Sequence, residues 1–158
     1  MKLNARHLTA DFYNCKNNKL KDIDLIESTL RTIAFEANFK ILSMSARIIE
    51  RNHHDTFVAI LEQGHISLHV YPELKYVASD IYLCEEAADP ETIARGLRKF
   101  FKPDKMKTTL LKRGDFGSPK ELRPRVKTHV APLRRIHNTG AKVGAKVIRV
   151  LARRKRNG

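Results

Sequence analysis

Residues 61–73 read Leu61-Glu62-Gln63-Gly64-His65-Ile66-Ser67-Leu68-His69-Val70-Tyr71-Pro72-Glu73, and from His65 to Tyr71 the side chains alternate strictly. Successive side chains of a strand point to opposite faces. Ile66, Leu68 and Val70 therefore address a core, while His65, Ser67, His69 and Tyr71 form a second, polar and aromatic face. Pro72 to Lys75 make a tight reversal, and Tyr76 to Cys84 alternate again. Pairing the two runs about Glu73 and Leu74 sets His65 opposite Tyr82, Ser67 opposite Asp80, and Cys84 beside Gln63 and Gly64. One face then gathers His65, His69, Asp80, Tyr82 and Cys84. A solvated outer face without chemistry is the plain alternative.

The segments on either side extend the pattern. Residues 5–13 alternate with Leu8, Ala10 and Phe12 on one face, a first strand. Ile23, Ile26, Leu30, Ile33, Ala34 and Ala37 recur at helical spacing, predicting an amphipathic helix over about residues 22–37. Residues 39–49 and 56–62 read as strands. Asp89-Pro90-Glu91 carries the marks of a helix start, and Ile93, Leu97 and Phe100 continue that helix to about Phe101. A last strand is expected over 105–111. The order β-α-β-β-β-β-α-β predicts an α+β fold, a two-layer sandwich of a mostly antiparallel sheet with two helices on one face.

Beyond that fold the composition changes. The 158-residue chain has a formal charge of +14. Residues 102–158 hold 18 Lys and Arg against three acids (Asp104, Asp115, Glu121), so residues 1–101 are close to neutral. Four of the six prolines lie between Pro103 and Pro132, and five of the seven glycines at or after Gly114. The expected division is a folded domain over 1–112, a flexible linker over 113–140 and a basic amphipathic tail over 141–158. In the basic extension Arg134, Arg135, Lys142, Lys146, Arg149, Arg153, Arg154, Lys155 and Arg156 are candidate contacts for a polyanion, either nucleic acid or an anionic membrane surface.

Only Cys15 and Cys84 occur, which excludes a disulfide framework and points to a reducing, cytoplasmic setting. Residues 1–13 lack an apolar signal core, and no run reaches membrane-spanning length. A tetrahedral zinc site is disfavoured, because His65 and His69 lie roughly 13 Å apart along one strand. A Cys-His nucleophile pair is disfavoured as well, since His69 sits well along the strand from Cys84.

At these residues the chain resembles the bacterial S-adenosylmethionine decarboxylases, from Met1 to about Phe101. Arg6-His7-Leu8 through Asp11-Phe12-Tyr13 and Cys15 resemble the family's opening strand, and Asp24-Leu25-Ile26-Glu27 its first helix. Gly64-His65-Ile66-Ser67-Leu68-His69-Val70-Tyr71-Pro72-Glu73 is similar to the family's Ser-His-Leu-Thr-Ile-His-Thr-Trp-Pro-Glu. Cys84 and Asp89-Pro90 fall where that pattern expects them.

The resemblance implies a link to spermidine and polyamine biosynthesis. It also implies a self-made pyruvoyl group: a serine hydroxyl attacks the preceding carbonyl, the ester eliminates, and the chain splits. Here Gly64 stands at the serine position, preceded by Gln63 instead of Glu, so no pyruvoyl cofactor is expected. By resemblance His69 corresponds to the histidine that assists processing and Cys84 to the catalytic proton donor. Glu73, Tyr71 and His65 are the ligand-binding candidates. Ser45-Ala46-Arg47-Ile48-Ile49 replaces a Ser-Phe-His-x-Phe stretch and lacks its aromatics.

Three readings stay open. One is a non-processed homologue that binds S-adenosylmethionine or a polyamine, as a homodimer or as a heterodimer with an active relative. The second is an enzyme that relies on His69 and Cys84. The third places function in the basic extension.

Overall fold

The computed structural model describes residues 5–85, 87–114 and 124–132. Seven strands form one sheet: β1 (Ala5–Cys15), β2 (Ile41–Ile49), β3 (His54–Leu61), β4 (Gly64–Tyr71), β5 (Tyr76–Leu83), β6 (Pro103–Arg113) and β7 (Arg125–Val130). Their order is β2-β3-β4-β5-β1-β6-β7, and every neighbouring pair is antiparallel. Two helices, α1 (Ile23–Glu36) and α2 (Pro90–Phe101), lie on one face. The expected two-layer α+β sandwich is the observed one.

Local chemistry starts both helices. The Asp22 carboxylate accepts from the Leu25 N–H at 3.0 Å, and Asp89 accepts from the Glu91 N–H at 3.0 Å with Pro90 in the first turn. Ile26, Leu30 and Ala34 of α1 and Ile93, Leu97 and Phe101 of α2 are buried against Leu8, Phe12, Phe57, Ile66, Leu68 and Ile81 of the sheet. The Phe12 and Phe101 rings meet at 5.7 Å. The helices approach closely at Gly96, where a β-carbon would stand 2.8 Å from Ile33 Cγ2. No helix among the described residues is long and apolar enough to cross a membrane.

The register of the central hairpin follows the alternation. His65 pairs with Tyr82, Ser67 with Asp80 and Gly64 with Leu83. Ile66, Leu68 and Val70 are fully buried, and their odd-numbered neighbours face away from the helices.

Residues 125–130 correct the expectation of an unstructured linker over 113–140. They form β7, paired with β6 from Leu110↔Arg125 to Lys105↔Val130. Arg125 to His129 are exposed, so backbone pairing holds this strand where burial does not. Ala131 N–H donates to Asp104 O at 2.6 Å, and Lys127 Nζ reaches Glu91 Oε1 at 2.6 Å. Pro124 and Pro132 bracket the strand, placing the residues that cannot donate outside the ladder. Linker positions 115–123 and 133–140 and the expected basic tail over 141–158 lie outside the described residues.

Candidate functional site

The β3–β4 turn has only Glu62 and Gln63 at its tip, between paired Leu61 and Gly64. β5 runs alongside and delivers Cys84 to it. The Gln63 carbonyl accepts twice from Cys84, from the backbone N–H at 2.8 Å and from the thiol at 2.8 Å. Two donors on one carbonyl polarise it. That carbonyl belongs to the Gln63–Gly64 peptide bond, the one that corresponds to the processing bond of the resemblance.

Gly64 itself is held at φ +153°, in a region L side chains rarely adopt. A β-carbon there would sit 1.9 Å from Tyr82 O and 2.9 Å from Tyr82 C. A pyruvoyl group at residue 64 needs a serine β-carbon as its source. Neither the glycine nor the space around it fits that group. The turn can polarise a carbonyl and has no hydroxyl beside it to attack.

Gln63 also lines a cleft of about 380 Å³ with Ala37, Phe39, Ala88, Asp89 and Thr92. Its Oε1 is buried and has no hydrogen-bond partner among the described residues.

On the open sheet face the side chains separate into two groups. Near the turn, His65 stacks on Tyr82 with centroids at 5.5 Å, and Arg113 lies 5.4 Å from the same ring. His7 Nε2 is 3.4 Å from Asp80, which also accepts from Ser67 at 3.5 Å. At the far end of the hairpin, His69 Nδ1 is 3.1 Å from Thr56 Oγ1. There His54 stacks on Tyr71 at 4.8 Å, followed by Tyr76 at 5.7 Å from Tyr71 and Tyr13 at 5.4 Å from Tyr76. Burial, and then the hydrogen bond that Tyr76 donates to Asp11 at 2.5 Å, push the Tyr76 phenol well above its usual range.

The candidate residues are thus only partly brought together. Cys84, Gly64 and His65 share one end, while His69, Tyr71 and Glu73 occupy the other. His69 pairs with Ala78, five rungs from the Gly64–Leu83 pair, a separation of roughly 17 Å. Within one chain His69 does not reach Cys84. Glu73 sits in the exposed hairpin turn with Lys21 Nζ at 2.6 Å, and that ammonium holds its carboxyl below the ordinary value. The sequence reading passed over His54 and Arg113, and it used His7, Asp11 and Tyr13 only as marks of resemblance. The alternation of β1, with His7, Asp11 and Tyr13 opposite Leu8, Ala10 and Phe12, already placed those three on a polar face. Arg134, Arg135, Lys142, Lys146, Arg149, Arg153, Arg154, Lys155 and Arg156 lie outside the described residues.

The two thiols differ in kind. Cys84 is exposed, whereas Cys15 is 2% exposed and burial pushes its thiol up to about 12. A thiol-specific alkylating reagent at mildly alkaline pH is expected to label Cys84 in the native protein and Cys15 only after unfolding; peptide mapping checks this. Comparable labelling of Cys15 in the native state would contradict its burial. Because the Cys15 pKa is raised by folding, its contribution is fully present below the pKa of the unfolded thiol. That contribution is lost as pH rises from there through about 12.

Comparison with known proteins points one way. The family model described as S-adenosylmethionine decarboxylase matches residues 6–114. An S-adenosylmethionine decarboxylase proenzyme of Methanococcus maripaludis is 32% identical over 123 residues, covering 77% of this chain and 100% of its own length. The proenzyme of that name from Thermomicrobium roseum is 29% identical over 114 residues, covering 72% of this chain and 97% of its own. The crystal structure of the adenosylmethionine decarboxylase from Aquifex aeolicus superposes with a TM-score of 0.63 at 23% identity. It covers 75% of this chain and 97% of its own, and it supports the fold.

Proposed function

Since the chain belongs to the S-adenosylmethionine decarboxylase family, we propose that it is a cytoplasmic, non-processed member connected with polyamine biosynthesis, acting as a binding or regulatory homologue. The observation that carries this reading is the backbone at Gly64. The position lacks the hydroxyl that self-processing uses, and β5 lies too close for a side chain there.

What survives is suited to holding a ligand. His65, Tyr82, His7 and Arg113 offer rings and a guanidinium for a planar group, and Asp80 offers a carboxylate for an amine. S-adenosylmethionine and polyamines both present positive charge to such a carboxylate. Pairing with a second copy, or with a processed relative, would supply groups that one chain keeps about 17 Å apart on β4. Size-exclusion with light scattering reads that state directly.

Intact-mass spectrometry of the purified protein tests the central claim. A single uncut chain is the expected result, and two fragments, one beginning with a pyruvoyl group, would sink it. Adding S-adenosylmethionine at about a hundred times its Kd is expected to stabilise the fold by about 2.7 kcal/mol. A flat thermal-shift titration with both S-adenosylmethionine and spermidine would count against a retained ligand site.

A further inference from the structure

We propose that β2 is a self-recognition edge, along which two copies of this chain join antiparallel, β2 to β2, about a twofold axis through Ser45. The inference does not rest on the reading of position 64, because β4 lies two strands in from this edge.

β2 ends the strand order, so its outer N–H and C=O groups meet no other strand among the described residues. Such an edge is a template for a further strand, and proteins blunt it with Lys, Pro or other charge. The opposite edge is blunted in that way: β7 exposes Arg125 and Lys127, and Pro124 and Pro132 bracket it. β2 has no Lys or Pro and a single charged residue, Arg47. It is apolar instead. Leu42 is 58% and Ile48 64% exposed, and Ile60 on neighbouring β3 is exposed as well.

The residues of the edge fit a second copy of themselves. A twofold contact presents the same surface from both sides, so each residue must suit its symmetry mate. Centred on Ser45, antiparallel pairing sets Met44 opposite Ala46, Ser43 opposite Arg47, Leu42 opposite Ile48, Ile41 opposite Ile49 and Lys40 opposite Glu50. Apolar meets apolar, and each end closes with a pair of opposite charge. Centring on Met44 would set Lys40 against Ile48, and centring on Ala46 would set Glu50 against Leu42. The register with β3 shifts between Ile41 and Ser43, so the regular ladder spans residues 43–47 and the flanking pairs meet through their side chains.

The shape of the edge agrees. Ile48 pairs with Asp55, and Asp55 with the buried Val70, which puts Ile48 on the helix side. On that side Arg31, Phe35, Phe39, Lys40 and Ile41 line a cleft of about 550 Å³ at the start of β2. The twofold brings Ile48 of the second copy to this cleft and Glu50 of the second copy to its two cations. Arg31, Lys40 and Glu50 are exposed and make no ion pair among the described residues, so all three are available for that contact.

The test is the full chain carrying S45C, cross-linked by mild oxidation. Directly opposed residues of an antiparallel pair have Cα atoms about 4.5–5.5 Å apart, within disulfide range. S45C is expected to give a covalent dimer. R47C would hold its two thiols roughly 13 Å apart along the strands, and it is expected to cross-link no more than the wild type, whose Cys84 is exposed. Sedimentation velocity of the reduced protein reads the equilibrium itself. E50K is expected to weaken the dimer about tenfold, because the altered pair occurs twice, and K40E/E50K to recover part of that loss. Circular dichroism confirms that these surface variants remain folded. A monomer at every concentration, S45C no better cross-linked than R47C, or K40E/E50K as weak as E50K would overturn the proposal. A dimer held through the open sheet face would give the second of those results. Growth into species larger than a dimer would overturn it too, since an open chain of copies is the product of β2 pairing with β7.

Discussion

Gly64→Ser is expected to leave the chain uncut and to lower its thermal midpoint by about 10 °C. The added β-carbon would enter the space of Tyr82 O, 1.9 Å from its ideal position, at a residue whose φ of +153° suits glycine alone. Backbone strain of this kind costs roughly 1–3 kcal/mol and overpacking a comparable amount, together about 3 kcal/mol. For a fold of this size that is a shift of about 10 °C. The double change Gln63→Glu/Gly64→Ser recreates the residue pair of the family's processing site and is expected to remain uncut too, because the same strand approach excludes the side chain. Circular dichroism melts and intact mass read both variants. A serine variant that melts with the wild type, or that splits to give a pyruvoyl end, would show that β4 and β5 separate easily here and that only the hydroxyl was missing.

Phe101→Ala is expected to be the most destabilising single truncation of α2, by roughly 4 kcal/mol. Phe101 is fully buried at the end of the helix, where its ring meets Phe12 at 5.7 Å and Phe100 at 5.0 Å. Removing it leaves a cavity between α2 and β1. Phe101→Leu, which keeps most of the volume, should cost only about 1 kcal/mol. Urea denaturation of both variants separates the cavity effect from loss of the ring itself. Equal costs for Ala and Leu would mean that ring geometry, and not filled volume, holds α2 to β1.

Much of the fold could be read before the coordinates because its determinants are short-range. The His65–Tyr82 and Ser67–Asp80 partners follow from a period of two on each strand and a four-residue reversal between them. The start of α2 follows from Asp89-Pro90, where the Asp89 side chain acts within three residues of itself, whereas α1 was legible by its apolar spacing and its Asp22 cap emerged from the structure. β7 was illegible for the opposite reason. Its cations and flanking prolines resemble a linker, it buries no apolar face, and its strand character comes from β6, twelve or more residues earlier.

The site divides along the same line. That residue 64 is glycine, that Cys84 lies beside it, and that His69 stands far along the same face are properties of the chain itself, fixed by residue identity and strand period. The placement of His7 against Asp80 and of Arg113 over Tyr82 required β1 to insert between β5 and β6, a long-range arrangement that no local pattern encodes. The double hydrogen bond from Cys84 to the Gln63 carbonyl, and the absence of room for a β-carbon at Gly64, were decided only in three dimensions. Both depend on how closely two strands approach at one rung. The antiparallel ladder between β4 and β5 and the backbone conformation of Gly64 set that distance.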